Sequence, residues 1–223
     1  MQARLTEIRR SEALRYLGWK GGALPPEIEA DIARCEALLM ETARPRAVWR
    51  KFGLAPDGAM LGTDFRPAGE DIRRLLSGCE FAVLIAATLG AEAETLLRRM
   101  QVRSMADAVI LDACAGAAIE NVCDNLCTDI AAELAPMFLT ERFSPGYGDL
   151  PLAQQRELCR VLDVGRRIGV SLSDGGIMIP QKTVTAILGV SPIPTAKRRR
   201  GCEGCELYET CAYRKDGTTC GKS

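Results

Sequence analysis

Four cysteines, Cys202, Cys205, Cys211 and Cys220, stand near the end of the chain in the pattern C-x2-C-x5-C-x8-C. Two intervening residues let the first pair of thiolates reach one metal centre, and four thiolates complete a tetrahedral zinc site or hold an iron–sulfur cluster. Structural zinc sites favour two close pairs, so the longer second and third gaps favour a 4Fe–4S cluster over zinc. Gly201, Gly204 and Gly217 loosen the backbone around these thiols. The competing reading is a set of unrelated surface thiols. The other six cysteines (Cys35, Cys79, Cys114, Cys123, Cys127 and Cys159) lie in apolar contexts and are expected in the core.

A second stretch with chemical potential is "RFSPGYGDLP", residues 142–151. Its prolines and glycines make it a loop, which offers backbone N–H and C=O groups to a ligand. Arg142 stands at its start, able to grip a carboxylate. Read from these residues alone, a purely structural turn explains the stretch as well. Histidine is absent from the whole chain. That excludes Ser-His-Asp and Cys-His catalysis, histidine-ligated zinc and a histidine axial ligand to cobalt from this chain.

The elements that must position these groups are legible in part. Pro25-Pro26 and the acidic residues after them open a helix, on which Ile28, Ile32, Cys35, Leu38 and Leu39 share one face. Val48 and Phe52 fall at strand spacing around Arg50. "AGEDIRRLLSGC" is a short helix ended by Gly78, and "EFAVLIAATLG" is an apolar run of strand length, the pattern of a buried strand. "AEAETLLRRMQV" is helical. The longest helical signal runs from Ser104 to Leu134. Its small residues allow close packing, and Asp112 and Glu120, eight positions apart, lie nearly on one face. "LAQQRELCRVLDVGRRIG" predicts a further helix, and 170–190 predicts short β segments about a turn at Gly175-Gly176. Helices and strands mix without regular βαβ alternation, which predicts an α+β fold with a mainly antiparallel sheet and long helices packed on it. Residues 1–195 form that domain; 196–223 form a basic linker and the Cys-rich tail.

Composition narrows the function classes. Twenty-nine basic residues balance 29 acidic ones, which argues against a protein working mainly by coating nucleic acid. The run Lys197-Arg198-Arg199-Arg200 reads as a solvated linker, or as a contact patch for an acidic partner. The N-terminal stretch is charged and amphipathic, without the apolar core of a signal peptide. No segment approaches the ~20 apolar residues of a membrane span. These features predict a cytoplasmic protein whose thiols stay reduced.

Arg142, Pro145-Gly146-Tyr147, the following helix and "SLSDGGIMIPQKTVTAILG" together resemble the S-adenosylmethionine-binding activation domain of cobalamin-dependent methionine synthase. The resemblance is strongest over 105–190 and extends diffusely over 1–195, in the manner of stand-alone members of that superfamily. It implies that Arg142, Ser144, Pro145, Gly146 and Tyr147 hold the amino-acid portion of S-adenosylmethionine, partly through backbone atoms. Glu120 is nominated as the partner of the ligand's ammonium. Two features depart from the family. Gly148-Asp149-Leu150-Pro151 replaces its Ala-Cys-Pro-Asp-His, and the aromatic residues that cover the adenosine have no match. The implied function is a stand-alone reactivation protein for a corrinoid-dependent methyltransferase, a methionine synthase lacking its own activation domain. The corrinoid would come from that partner; the tail, which the resemblance does not cover, would relay an electron. Two alternatives stand beside this: an iron–sulfur redox protein that keeps the fold without the ligand, and a zinc-stabilised docking scaffold.

Overall fold

The computed structural model describes residues 3–194. The basic run and the cysteine tail, with Cys202, Cys205, Cys211 and Cys220, lie outside the described residues. In chain order the elements are α1 (Arg10–Tyr16), α2 (Pro26–Thr42), β1 (Arg46–Gly53), α3 (Glu70–Leu76), β2 (Phe81–Thr88), α4 (Ala91–Arg103), α5 (Met105–Glu133), β3 (Phe138–Leu139), α6 (Gln155–Leu162), α7 (Val164–Ile168), β4 (Ser171–Leu172), β5 (Met178–Ile179) and β6 (Thr183–Ser191). A single 3-10 turn, Leu152–Gln154, precedes α6.

Four strands make one antiparallel sheet in the order β1-β2-β6-β3, and β4 with β5 forms a separate small hairpin. The unbroken apolar run of β2 has a simple cause: both faces of the sheet are covered. Val83, Ile85 and Ala87 join one hydrophobic cluster, which includes residues of α2, α4 and α5. Ala82, Leu84 and Ala86 join the other, with Ile72 of α3 and Leu158 and Leu162 of α6. Successive side chains of a strand point to opposite faces, so a doubly covered strand is apolar at every position. Truncating Ile72, Leu84, Ile85, Leu158 or Leu162 to Ala would cost about 2–5 kcal/mol.

α5 is the structural beam of the first layer. Ser104 caps it, its hydroxyl accepting from the Asp107 N–H at 3.3 Å. Ala108, Ala115, Ala117 and Ala118 lie buried along it, which lets α1, α2 and the sheet approach closely. The α+β architecture with a mainly antiparallel sheet and long helices is therefore as the sequence predicts. Of the six scattered cysteines, Cys35, Cys114, Cys123 and Cys159 are buried and Cys79 and Cys127 are half-buried.

Two local expectations need correction. The helix expected over "LAQQRELCRVLDVGRRIG" is broken at Asp163, which adopts φ 52° and separates α6 from α7. Asp tolerates that left-handed conformation better than most residues. The short strands expected about Gly175-Gly176 describe only β4 and β5. Beyond them runs β6, nine residues long and paired with β2 along its length. Thr183, Thr185 and Gly189 disguise it, because polar and glycine positions mask its burial.

Among the described residues no helix is long and apolar enough to cross a membrane.

Candidate functional site

Arg142 owes its position to an irregularity in the sheet. β3 pairs with β6 through Phe138↔Ser191 and Leu139↔Val190. Farther on, Phe143 bridges Ile187. Residues 140–142 thus face only residues 188 and 189, an excess of one that defines a β-bulge. Thr140 closes it: its N–H donates to the Gly189 carbonyl at 2.9 Å, and its hydroxyl accepts from the Gly189 N–H at 2.8 Å. Only glycine fits opposite this turn. A Cβ at 189 would collide with the Cys79 sulfur and press on Thr140.

From the bulge the Arg142 guanidinium reaches α5. Nη2 donates to Glu120 at 2.7 Å and Nη1 to Asp124 at 2.8 Å. Glu120 and Asp124 are one helical turn apart, so a single fork spans both. Asp124 also accepts from Arg9 at 2.7 Å. Burial alone would raise the Asp124 carboxyl, but the hydrogen bonds and charges of Arg142 and Arg9 outweigh it and hold the group below the usual carboxylate range. The nearby thiols behave oppositely. Burial pushes Cys123 up to about 12 and raises Cys127 as well, so both stay protonated and uncharged near neutral pH. Asp112 lies on the same helix face as Glu120 but pairs with Lys182 at 2.9 Å.

The loop after the bulge is two linked turns. Tyr147 N–H donates to Ser144 O at 3.0 Å across Pro145 and Gly146, and Gly146 has φ 93°. Proline followed by a positive-φ glycine is the pattern of a type II turn. The Leu150 N–H returns to the Tyr147 carbonyl at 3.0 Å. Asp149, part of the departure from the resembled family, anchors the whole loop. Its carboxylate accepts from the Glu70 and Asp71 N–H groups at 2.5 and 3.1 Å. It thereby caps α3, and the backbone donor at Glu70 first, then that at Asp71, holds it below the usual range. Tyr147 packs edge-on to Phe143 at 6.3 Å and remains exposed.

Loop, bulge and helix enclose a cavity of about 440 Å³. Glu120 and Asp124 line it from α5, and Arg142, Ser144 and Tyr147 from the loop side. Thr183, Thr185 and Leu188 line it from β6, and Gln155 and Met178 from beneath. Four of the sequence candidates (Glu120, Arg142, Ser144 and Tyr147) therefore come together. Pro145 and Gly146 shape the turn behind them without lining the cavity. Asp124, Arg9 and Thr185 were missed. The i, i+4 spacing of Glu120 and Asp124 was the available signal for the first; nothing local marked the other two. A larger hollow, about 980 Å³, lies between the Leu54–Gly58 turn and α3 and contains none of the candidate residues. Among the described residues no group of three or more His, Cys, Asp or Glu side chains is placed to hold a metal.

No family model matches the chain, and no curated protein matches it. Among solved structures it is similar to the MetH reactivation domain bound to AdoHcy, with a TM-score of 0.58 and 15% identity over 98% of this chain and 86% of that one. At that identity the likeness is one of fold.

Proposed function

We propose that this chain binds an S-adenosyl compound in the 440 Å³ cavity and serves the reactivation of a corrinoid-dependent methyltransferase of the methionine synthase kind. One observation carries the reading: a guanidinium forked across two carboxylates, beside a Pro-Gly-Tyr turn, opens onto a ligand-sized cavity. The fold it shares with a reactivation domain crystallised with AdoHcy supports the same conclusion.

The paired charges give binding a definite form. An α-amino-acid group carries a carboxylate and an ammonium, and it can enter by exchanging partners. Its carboxylate takes over Arg142 Nη2, and its ammonium takes Glu120. Asp124 keeps Arg142 Nη1 and Arg9, so no charge is left unpaired. The chain's part is positioning: it fixes the ligand's charged end and leaves the sulfonium to face the partner's corrinoid. In the reaction served, a one-electron donor reduces Co(II) to Co(I). The partner's corrinoid, once reduced, would supply the nucleophile that accepts the sulfonium's methyl group, with S-adenosylhomocysteine as the leaving group. Cys202, Cys205, Cys211 and Cys220 would hold a 4Fe–4S cluster, which would supply one-electron chemistry. Stoichiometric iron and acid-labile sulfide in anaerobically purified protein would support that part, and stoichiometric zinc would overturn it.

Calorimetric titration of S-adenosylmethionine into the folded protein tests the central reading. Saturable binding is expected. Its absence from a folded sample overturns the assignment.

A further inference from the structure

The arm that precedes α1 is fastened to α5 at the turn that carries the site's carboxylates. Its anchor is the buried amide of Asn121, 4% exposed. The Asn121 side-chain oxygen accepts from the Thr6 N–H at 3.0 Å, the Thr6 hydroxyl at 3.1 Å and the Glu7 N–H at 3.4 Å. One turn on, the Asn125 amide donates to the Arg4 carbonyl at 3.1 Å and to the Thr6 hydroxyl at 3.0 Å. The two asparagines directly follow Glu120 and Asp124 in sequence. At the other end of the arm, the Arg9 carbonyl accepts from the Glu12 and Ala13 N–H groups at 3.0 and 3.1 Å and so opens α1. The Arg9 backbone is thus held from both sides, independently of any ion pair its side chain makes.

That side chain divides Asp124 with Arg142. Asp124 Oδ1 accepts from Arg142 Nη1 at 2.8 Å, and Oδ2 accepts from Arg9 Nη2 at 2.7 Å. Asp124 lines the cavity, and Arg9 stands behind it, outside the lining. Arg9 also reaches Glu7 at 3.3 Å, but that carboxylate is 61% exposed and water screens it.

The charges at the cavity give this arrangement a purpose. Glu120 and Asp124 set two carboxylates against the single guanidinium of Arg142. Arg9 supplies the second positive charge. An incoming amino-acid group brings a further carboxylate, which must share Arg142 with Asp124. With Arg9 in place Asp124 keeps a cation of its own, and Arg142 can turn to the newcomer. Without Arg9, two carboxylates would divide one guanidinium in a half-buried setting, where like charges repel more strongly than in water. A ligand lacking the carboxylate would not feel that difference.

We propose that Arg9 is a positioning residue that makes the cavity select ligands retaining their α-carboxylate. It acts through Asp124 and does not touch the ligand. The proposal rests on the reading that an S-adenosyl compound occupies this cavity.

The test compares, by calorimetry, S-adenosylhomocysteine with its decarboxylated analogue, which keeps the ammonium and lacks the carboxylate. Arg9→Gln retains a hydrogen-bonding side chain and removes the charge. It leaves the Thr6, Glu7 and Asn125 contacts of the arm in place, so the variant should stay folded. It should weaken S-adenosylhomocysteine about tenfold and change the analogue less than about twofold. Arg9→Lys should stay within about threefold of wild type for S-adenosylhomocysteine, because the contact with Asp124 is made through one nitrogen and needs no fork. Equal losses of the two ligands in Arg9→Gln, wild-type affinity for S-adenosylhomocysteine in that variant, or a Lys variant as weak as the Gln variant overturns the role of Arg9 while leaving the ligand reading in place. Binding of neither compound to the wild-type protein overturns both.

Discussion

Two arginines in this fold make the same fork. Arg34 on α2 bridges Asp31, at 2.7 Å, and Asp107 on α5, also at 2.7 Å. Arg142 bridges Glu120 and Asp124 at 2.7 and 2.8 Å. Bond lengths do not distinguish them; context does. The Arg34 side chain is 46% exposed and joins two helices on the surface, whereas that of Arg142 is 22% exposed and stands in a bulge against a cavity. Surface ion pairs contribute little and are screened by salt. A half-buried fork holds its geometry and resists loss of either partner. Position relative to a cavity, rather than the count of salt bridges, separates a candidate binding group from a surface clasp.

Replacing the two arginines is the sharpest attack on that contrast. Arg142→Ala is expected to weaken S-adenosylmethionine binding about a hundredfold by calorimetry. It should also cost about 1–2 kcal/mol of stability, the figure discounted because Glu120 and Asp124 remain partly in water. Arg34→Ala should leave affinity within twofold. Equal losses from both variants would erase the distinction.

Gly189→Ala attacks the bulge instead of the charge. The added methyl group meets Cys79 and Thr140. Overpacking of this kind costs about 1–3 kcal/mol, and the displaced bulge should weaken binding about tenfold although no ligand-facing group has changed. Denaturant midpoints read the first effect and calorimetry the second.

Acid should separate the two forks more gently. Asp107 is held below the usual range first by its hydrogen bond from Arg34. Asp124 is held below it because its arginine partners outweigh the opposing effect of burial. A carboxyl whose folded pKa is depressed contributes stability above its unfolded value, about 4, and loses it as pH falls through the lower folded value. Thermal midpoints should therefore drop between about pH 4 and pH 2. Asp124→Asn, which loses two arginine partners, should blunt that drop more than Asp107→Asn. The smallest effect is expected from Thr185→Val. Removing a buried hydroxyl that has no hydrogen-bond partner among the described residues should leave stability unchanged or raise it by up to about 1 kcal/mol. A clear loss of stability there would mean that the hydroxyl is satisfied in the free protein.

How much of this was legible depended on how local its cause is. β2 and α5 could be read directly, because continuous burial and helical periodicity are written in consecutive residues. The Ser144–Tyr147 turn was equally plain, since Pro145 and Gly146 set its backbone angles. The bulge was not, because it arises from a mismatch of register between segments nearly 50 residues apart. For the same reason Arg9 was invisible as a neighbour of the site, although its partner's spacing from Glu120 was in view. β6 lay hidden because Thr183, Thr185 and Gly189 interrupt the apolar pattern of a strand that is nonetheless buried.

The N-terminal arm has a consequence for how the protein acquires its site. Thr6 donates from both its N–H and its hydroxyl to the buried Asn121 at 3.0 and 3.1 Å, and Arg9 completes the charge balance at Asp124 across 115 positions of sequence. The cavity's far wall is β6, close to the other end of the described chain. The lining residues all fall between 120 and 188, yet the support of Asp124 and Asn121 comes from the arm, so a fragment without it lacks part of the site's framework. During synthesis the arm would emerge early and wait for the strand that completes the pocket, and contacts of such long range tend to form late in folding. Ligand affinity in this protein should therefore track the fraction of molecules whose entire chain has closed on itself.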